Sequence, residues 1–187
     1  MSATYQFKGK LIKVQSRTQR LPNGRLAQLD VIEHPGAVLI VPFLDPLHLI
    51  FIHQFRPVLN TYLYELPAGT LNPGEVPIAC ASRELMEETG VMAGKIKRIG
   101  KIVPVPGYST EVITIFKAED LKADETVLPA QKGSAKKWKV SQVLRRKEAD
   151  EVIRVCVLSV SQIRALFRRG KIYDAKTICA LAFCGIL

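Results

Sequence analysis

Short apolar runs recur through the first third of the chain, at residues 9–14, 26–32, 37–43 and 48–55. Turn chemistry bounds them: LPNGR at 21–25, HPG at 34–36 and DP at 45–46. Runs of this length with this punctuation predict β-strands, the first of them a meander that turns at Asn23-Gly24. Three further strands are predicted at 96–103, 112–117 and 153–158. The pattern changes at residue 77. Pro77 suits the first turn of a helix and Gly90 suits a left-handed cap, so 77–89 predicts a helix with Ile78, Ala81 and Leu85 as its apolar stripe. A second helix is expected from Ser159 or Ser161 to Gly170, and a third from the N-cap Asp174 to Gly185. Strands, one helix, more strands and two helices make an α+β order, not a βαβ alternation. Residues 119–150 are polar, basic and weakly periodic. Part of this stretch predicts a long loop, and long loops in compact domains often carry function.

Composition adds bounds. The chain has 187 residues, 48% of them hydrophobic, enough for one domain with a real core. We divide it into a small N-terminal β element, 1–35, and a main domain, 36–187. No apolar run approaches the ~18 residues of a membrane helix, and MSATYQFKGK lacks the apolar stretch of a signal peptide. Cys80, Cys156, Cys179 and Cys184 form no CxxC pair and read as reduced core residues. A cytoplasmic protein is the expectation. The net charge is +10, with lysine and arginine clustered at 95–101, 132–139, 145–147 and 168–171. Such a surface is soluble and attracts anions. There is no arginine–aromatic repeat or nucleic-acid motif, so nucleic acid is not an expected partner.

Against that basic background, Glu84, Glu87 and Glu88 crowd into five residues of the predicted first helix. Their i, i+3, i+4 spacing puts them on one face, where like charges repel. Arg83, at i+4 from Glu87, offers one counter-charge. Hard divalent cations bind carboxylate oxygens, often together with substrate phosphates, and a metal site would explain the crowding.

The surrounding residues extend the pattern. Gly69, Glu75, Arg83-Glu84-Leu85, Glu87-Glu88 and Gly90-Val91 keep nine defined positions at fixed spacing. This segment resembles the Nudix box at every one of them. The flanks QFRPVLNTYLYELPAG (54–69), PVPGYSTEVITIFKAEDL (104–121), ADEVIRVCVLS and GKIYDAKTICAL resemble the ADP-ribose pyrophosphatase branch, which includes other nucleoside diphosphate sugar hydrolases. The likeness runs from about Phe7 to the end. It implies the Nudix fold, a mixed β-sheet between helices, preceded here by the small antiparallel element. It implies hydrolysis of the pyrophosphate of ADP-ribose or a related sugar nucleotide with Mg²⁺ or Mn²⁺, giving a nucleoside monophosphate and a sugar phosphate. It also implies a homodimer built through the N-terminal strands.

Carried over residue by residue, the resemblance implies metal ligands at Glu84, Glu88 and the Ala68 carbonyl, with Glu87 as a further ligand or water-holding group. Glu75 and Arg83 are expected to pair and hold the loop on the helix. The general base is expected in the loop 148–151, at Glu151 with Glu148 behind it and Asp150 third. Ala149 departs there from the more acidic pattern. Arg56 is expected to bind phosphate through its guanidinium fork. Glu65 and Glu111 are expected to face the substrate pocket, Gly107 and Ser109 to border it, and Tyr5 or Phe7 to stack on the base. His34, His48 and His53 share no metal spacing and are expected to be structural. Two other readings stay open: a dinucleoside polyphosphate or RNA-cap hydrolase, and a Nudix-fold binding module without catalysis.

Overall fold

The structure, a computed structural model, describes residues 4–9, 12–123, 144–145 and 153–187. Its centre is β4 (Ala37–Asp45), whose residues 37–42 are all buried. Val38 and Ile40 pack with Cys80, Ala81 and Leu85 of helix α1 (Pro77–Thr89). Leu39 and Val41 point the other way, towards Ile163 of α2 (Val160–Arg168) and Leu181 of α3 (Ala175–Phe183). A strand covered on both faces needs apolar residues at every position, which is why AVLIV reads as a continuous run. The protein is thus an α+β layered domain with α1 on one face of a mixed sheet and α2 and α3 on the other.

The sheet grows outwards from β4. Strand β9 (Ile113–Ala123) lies parallel to it, and β8 (Val91–Ile102) lies antiparallel to β9. Strand β5 (His48–Arg56) joins β4 only at their hairpin, through Phe43↔Leu49 and Asp45↔His48. Beyond it the two strands take different neighbours. β5 pairs with β6 (Thr61–Glu65) and β11 (Ile153–Ser159), and β11 with the short β10 (Leu144–Arg145). β4 pairs instead with β7 (Ala68–Thr70). Residues 61–70 therefore pass from the β5 side to the β4 side, and the parting strands leave a gap that the site occupies.

A second, three-stranded antiparallel sheet precedes this body: β1 (Thr4–Lys8), β2 (Lys13–Arg20) and β3 (Leu26–Glu33). β2 and β3 pair residue for residue about the Asn23-Gly24 turn. The Ile32 N–H donates to Tyr108 O at 2.7 Å and the Thr110 N–H to Ile32 O at 3.0 Å, tying this sheet to the main body.

Several expectations need correction. The run 9–14 is not one strand: the Gly9 N–H donates to Ile12 O at 2.9 Å, and β2 begins at Lys13. β2 is hard to see because KVQSRTQR holds one apolar residue and is exposed at five of its eight positions, so little imposes alternation. β6 and β7 are only five and three residues long and are separated by Leu66-Pro67, so neither stands out as a run. β9 extends past the predicted end at 117, through Glu119–Ala123, into the stretch in part of which a loop is expected. Ile78 is 51% exposed, and Cys80 takes its place beside Ala81 and Leu85 in the core stripe. The remaining stretch of that loop, 124–143 and 146–150, lies outside the described residues.

Ser159 caps α2 reciprocally: its Oγ accepts from the Gln162 N–H at 3.2 Å, while its own N–H donates to Gln162 Oε1 at 2.8 Å. Ser159→Ala should cost about 1 kcal/mol, read as a lower urea midpoint with an unchanged denaturant slope.

Candidate active site

Where β4 and β5 part, a cleft of about 1420 Å³ opens between α1, β7 and the start of α3. Glu84 and Glu88 line it and are almost fully buried, 1% and 4% exposed. Two such carboxylates need fixed partners. The Ala68 N–H donates to Glu88 Oε2 at 3.0 Å, which seats β7 on the helix. Gly69 then lies so close that an added Cβ would stand 1.9 Å from Glu84 Cδ, so only glycine lets β7 approach.

Arg83 organises this wall. Its Nε and Nη2 donate to Glu75 Oε1 and Oε2, both at 2.8 Å, and Nη1 reaches Glu84 Oε1 at 2.6 Å and Glu87 Oε2 at 3.1 Å. Nη2 also donates to Thr70 O at 3.3 Å. The pairing expected of Glu75 and Arg83 is thus present, and it locks the loop before α1 to the helix. The guanidinium, helped by the Asn72 N–H, draws the Glu75 carboxyl down to about 2. Burial, followed by the charge of Glu75, pushes the Cys80 thiol up to about 12, so it stays protonated and inert.

The opposite wall carries cations on a buried anion. Glu65 is 0% exposed. Arg56 grips it with two hydrogen bonds of 2.7 Å, and Lys176 Nζ bonds to the same carboxylate and to Asp174 Oδ1 at 2.8 Å. Burial alone would raise the Glu65 carboxyl, but Arg56 and Lys176 outweigh it and the net shift is downward. Its hydrogen bonds hold the Arg56 guanidinium more firmly protonated. Arg56 and Lys176 both line the cleft. Lys176 was missed from the sequence. Its signal was a lysine in the first turn of α3, just after the N-cap, where the helix dipole disfavours a cation.

The other sequence candidates divide. Ala68, Arg56 and Glu111 line the cleft. Glu87 does not: its side chain is 39% exposed and stands on the shoulder of α1, bonded to Arg83. Three glutamates on one face have become two inward and one outward. Glu65 lies behind the lining, beneath Arg56 and Lys176. Ser109 Oγ accepts the Glu111 N–H at 3.1 Å, and neither Ser109 nor the exposed Gly107 lines the cleft. Phe7 is 55% exposed on β1 and is not among the residues that line the cleft. Tyr5 is on the same strand, and its side chain is outside the described residues, as are Glu148, Asp150 and Glu151. His48 bonds to Asp45 at 2.9 Å and His53 stacks between Tyr62 and Tyr64, both structural as expected. His34 lines the cleft instead.

A NUDIX domain model matches residues 33–175, about three quarters of the chain. This chain belongs to the NUDIX family. It is 32% identical to the ADP-ribose pyrophosphatase of Bacillus subtilis (strain 168) over 95% of its own length and 86% of that protein. It is 28% identical, over the same shares, to the methanol dehydrogenase activator of Bacillus methanolicus. The mouse (Mus musculus) ADP-sugar pyrophosphatase is 33% identical over 57% of this chain and 56% of that protein. Among solved structures, that of an ADP compounds hydrolase superposes with a TM-score of 0.71 over 98% of this chain and 92% of that one, at 22% identity, which supports the NUDIX fold.

NUDIX proteins use divalent metals, and the donors here fit one. Glu84, Glu88 and the backbone carbonyls of β7 are hard oxygen donors around one cleft. Among the described residues no three His, Cys, Asp or Glu side chains converge on a single point. A cation held by one or two carboxylates and completed by water and phosphate matches that donor count.

The Glu75 shift has a consequence for pH. A carboxyl whose folded value lies below its unfolded value stabilises fully above about pH 4.5, and that stability is lost as pH falls through about 2. Glu75→Gln should therefore be less stable than the natural protein at neutral pH. The gap should shrink steadily from pH 4.5 towards 2, as followed by urea midpoints. A gap that does not change with pH would contradict the Arg83 pairing.

Proposed function

We propose that this NUDIX protein hydrolyses the pyrophosphate of ADP-ribose or a related nucleoside diphosphate sugar, using Mg²⁺ or Mn²⁺ and releasing a nucleoside monophosphate and a sugar phosphate. The observation that carries the reading is one cleft with two walls: the buried carboxylates Glu84 and Glu88 on one, Arg56 and Lys176 on the other. The names of the B. subtilis and mouse relatives point to the same substrate class.

In this reading Arg56 and Lys176 bind the non-bridging phosphate oxygens. Arg56 suits them as a planar fork, and Lys176 as a point charge. Glu65 and Asp174 fix both cations before substrate arrives, so little ordering is left to do on binding. Glu84, Glu88 and the Ala68 carbonyl would hold the metal, which when bound would supply charge neutralisation for the phosphates and activation of water. Glu87 acts through Arg83. The family resemblance implies a proton acceptor at Glu151, with Glu148 behind it and Asp150 third. Glu111 faces the sugar. All four cysteines are free thiols, which suits a reducing cytoplasm.

The test is product formation with Mg²⁺ from ADP-ribose, GDP-mannose, UDP-glucose, diadenosine polyphosphates and capped RNA. A sugar nucleotide should be cleaved fastest, with activity abolished by EDTA and kcat lowered about 10²-fold or more in Glu88→Gln. Turnover of capped RNA alone, or of nothing, would reject the reading.

We also propose that residues 1–35 join two copies. β2 is exposed from Arg17 to Arg20, and β3 keeps one face, Leu26, Gln28 and Asp30, exposed, which leaves sheet surface for a cover. Light scattering at micromolar protein should give twice the chain mass of 20.8 kDa. A monomer mass would remove the proposal.

A further inference from the structure

His34 stands in the cleft, at the end of the segment leading from β3 into β4. The Gly36 N–H donates to its Nδ1 at 3.1 Å. A ring nitrogen that accepts carries no proton, so the imidazole proton sits on Nε2. Nε2 lies 3.9 Å from Glu111 Oε1, with the two side chains 10% and 24% exposed. Both line the same cleft.

The backbone holds this pair still. The His34 N–H donates to Thr110 Oγ1 at 3.0 Å, and the Ala37 N–H to Val112 O at 3.0 Å. Gly36 sits at a φ of 100°, a conformation that only glycine adopts without strain. The turns around His34 and Glu111 are thus zipped together, and the bond from Gly36 holds the His34 ring on the Glu111 side of the cleft.

That separation is informative. At 3.9 Å the pair is too far apart for a hydrogen bond, yet one oxygen can lie about 2.8–2.9 Å from both atoms. Such an oxygen must accept from Nε2–H and donate to a carboxylate. A hydroxyl does both. A phosphate or carbonyl oxygen only accepts, and Glu111 would repel a phosphate. We propose that His34 is a specificity residue which, with Glu111, clasps one sugar hydroxyl of the substrate. This rests on the nucleoside diphosphate sugar reading and assigns a substrate contact to a histidine that sequence reasoning set aside.

The decisive variant is His34→Asn. An asparagine oxygen accepts the N–H two residues on, as in an Asx-turn, so the bond to Gly36 is kept while the Nε2–H donor is lost. KM for ADP-ribose should rise about 3- to 10-fold, the worth of one neutral hydrogen bond, with kcat and the melting temperature unchanged. Glu111→Ala should raise KM too, and the double variant should lose less than the product of the two, because both act on one hydroxyl. The β-methyl ester of ADP, which lacks the distal sugar, locates that hydroxyl. A His34→Asn penalty that vanishes with this ester assigns it to the distal sugar, and one that persists assigns it to the nucleoside ribose. An unchanged KM for ADP-ribose in His34→Asn, or penalties that simply multiply, would overturn the proposal while leaving the hydrolase reading intact. ADP-ribose binding, titrated in EDTA so that no hydrolysis competes, separates the two ideas. Binding without turnover in the natural protein fails the hydrolase reading alone, and equal affinity in His34→Asn fails this proposal alone. Should His34→Asn melt early, the Glu111→Ala comparison between ADP-ribose and the methyl ester decides: an equal KM for ADP-ribose before and after that substitution rejects the clasp.

Discussion

Arg83 makes the acidic wall possible. Three glutamates within five residues of one helix repel each other, and burying two of them removes the water that would otherwise screen them. One planar guanidinium answers this by bonding to both oxygens of Glu75 and one oxygen each of Glu84 and Glu87. A lysine could supply the charge but not the fixed fork. Because Glu75 belongs to the loop and Glu84 to the helix, the same contact sets the height of the loop. That height brings β7 against Glu84 closely enough to exclude any side chain at residue 69.

The facing wall solves the complementary problem. Two cations stand at one cleft, and Glu65 neutralises them from below, fully buried. A buried carboxylate with a single partner is a costly element; with two cations and every bond short, the network holds. Glu65 lies on β6 and Lys176 on α3, so the network also pins the start of α3 to the sheet. The cleft is therefore organised before any ligand binds, an arrangement suited to stabilising charge in a reaction.

Much of this was legible in the sequence. The fixed spacing from Gly69 to Val91 encodes contacts made within one loop and one helix, so the sequence itself lists both partners. The β4 run and the caps of α2 and α3 were also local. What was not legible depended on contacts far apart in sequence. Lys176 meets Glu65 across 111 positions, and His34 meets Thr110 across 76. No local pattern announces either, beyond an oddly placed lysine and a histidine before Pro-Gly. The inward or outward fate of Glu87 turned on about a third of a helical turn, finer than spacing alone resolves.

The division at residue 35 looks different from the site than from the sequence. Lys13, Glu33 and His34 come from the N-terminal side of it, yet all three line the cleft beside Glu84 and Arg56. The family match likewise begins at residue 33. The division at residue 35 comes from the sequence alone, at the HPG turn before the continuous apolar run of β4. For chemistry the boundary falls elsewhere. The hydrogen bonds from β3 to residues 108 and 110 make the end of the first sheet a wall of the second unit's cleft. Only the ends of β2 and β3, at Lys13 and Glu33, reach the cleft, and there the residues that line it are charged.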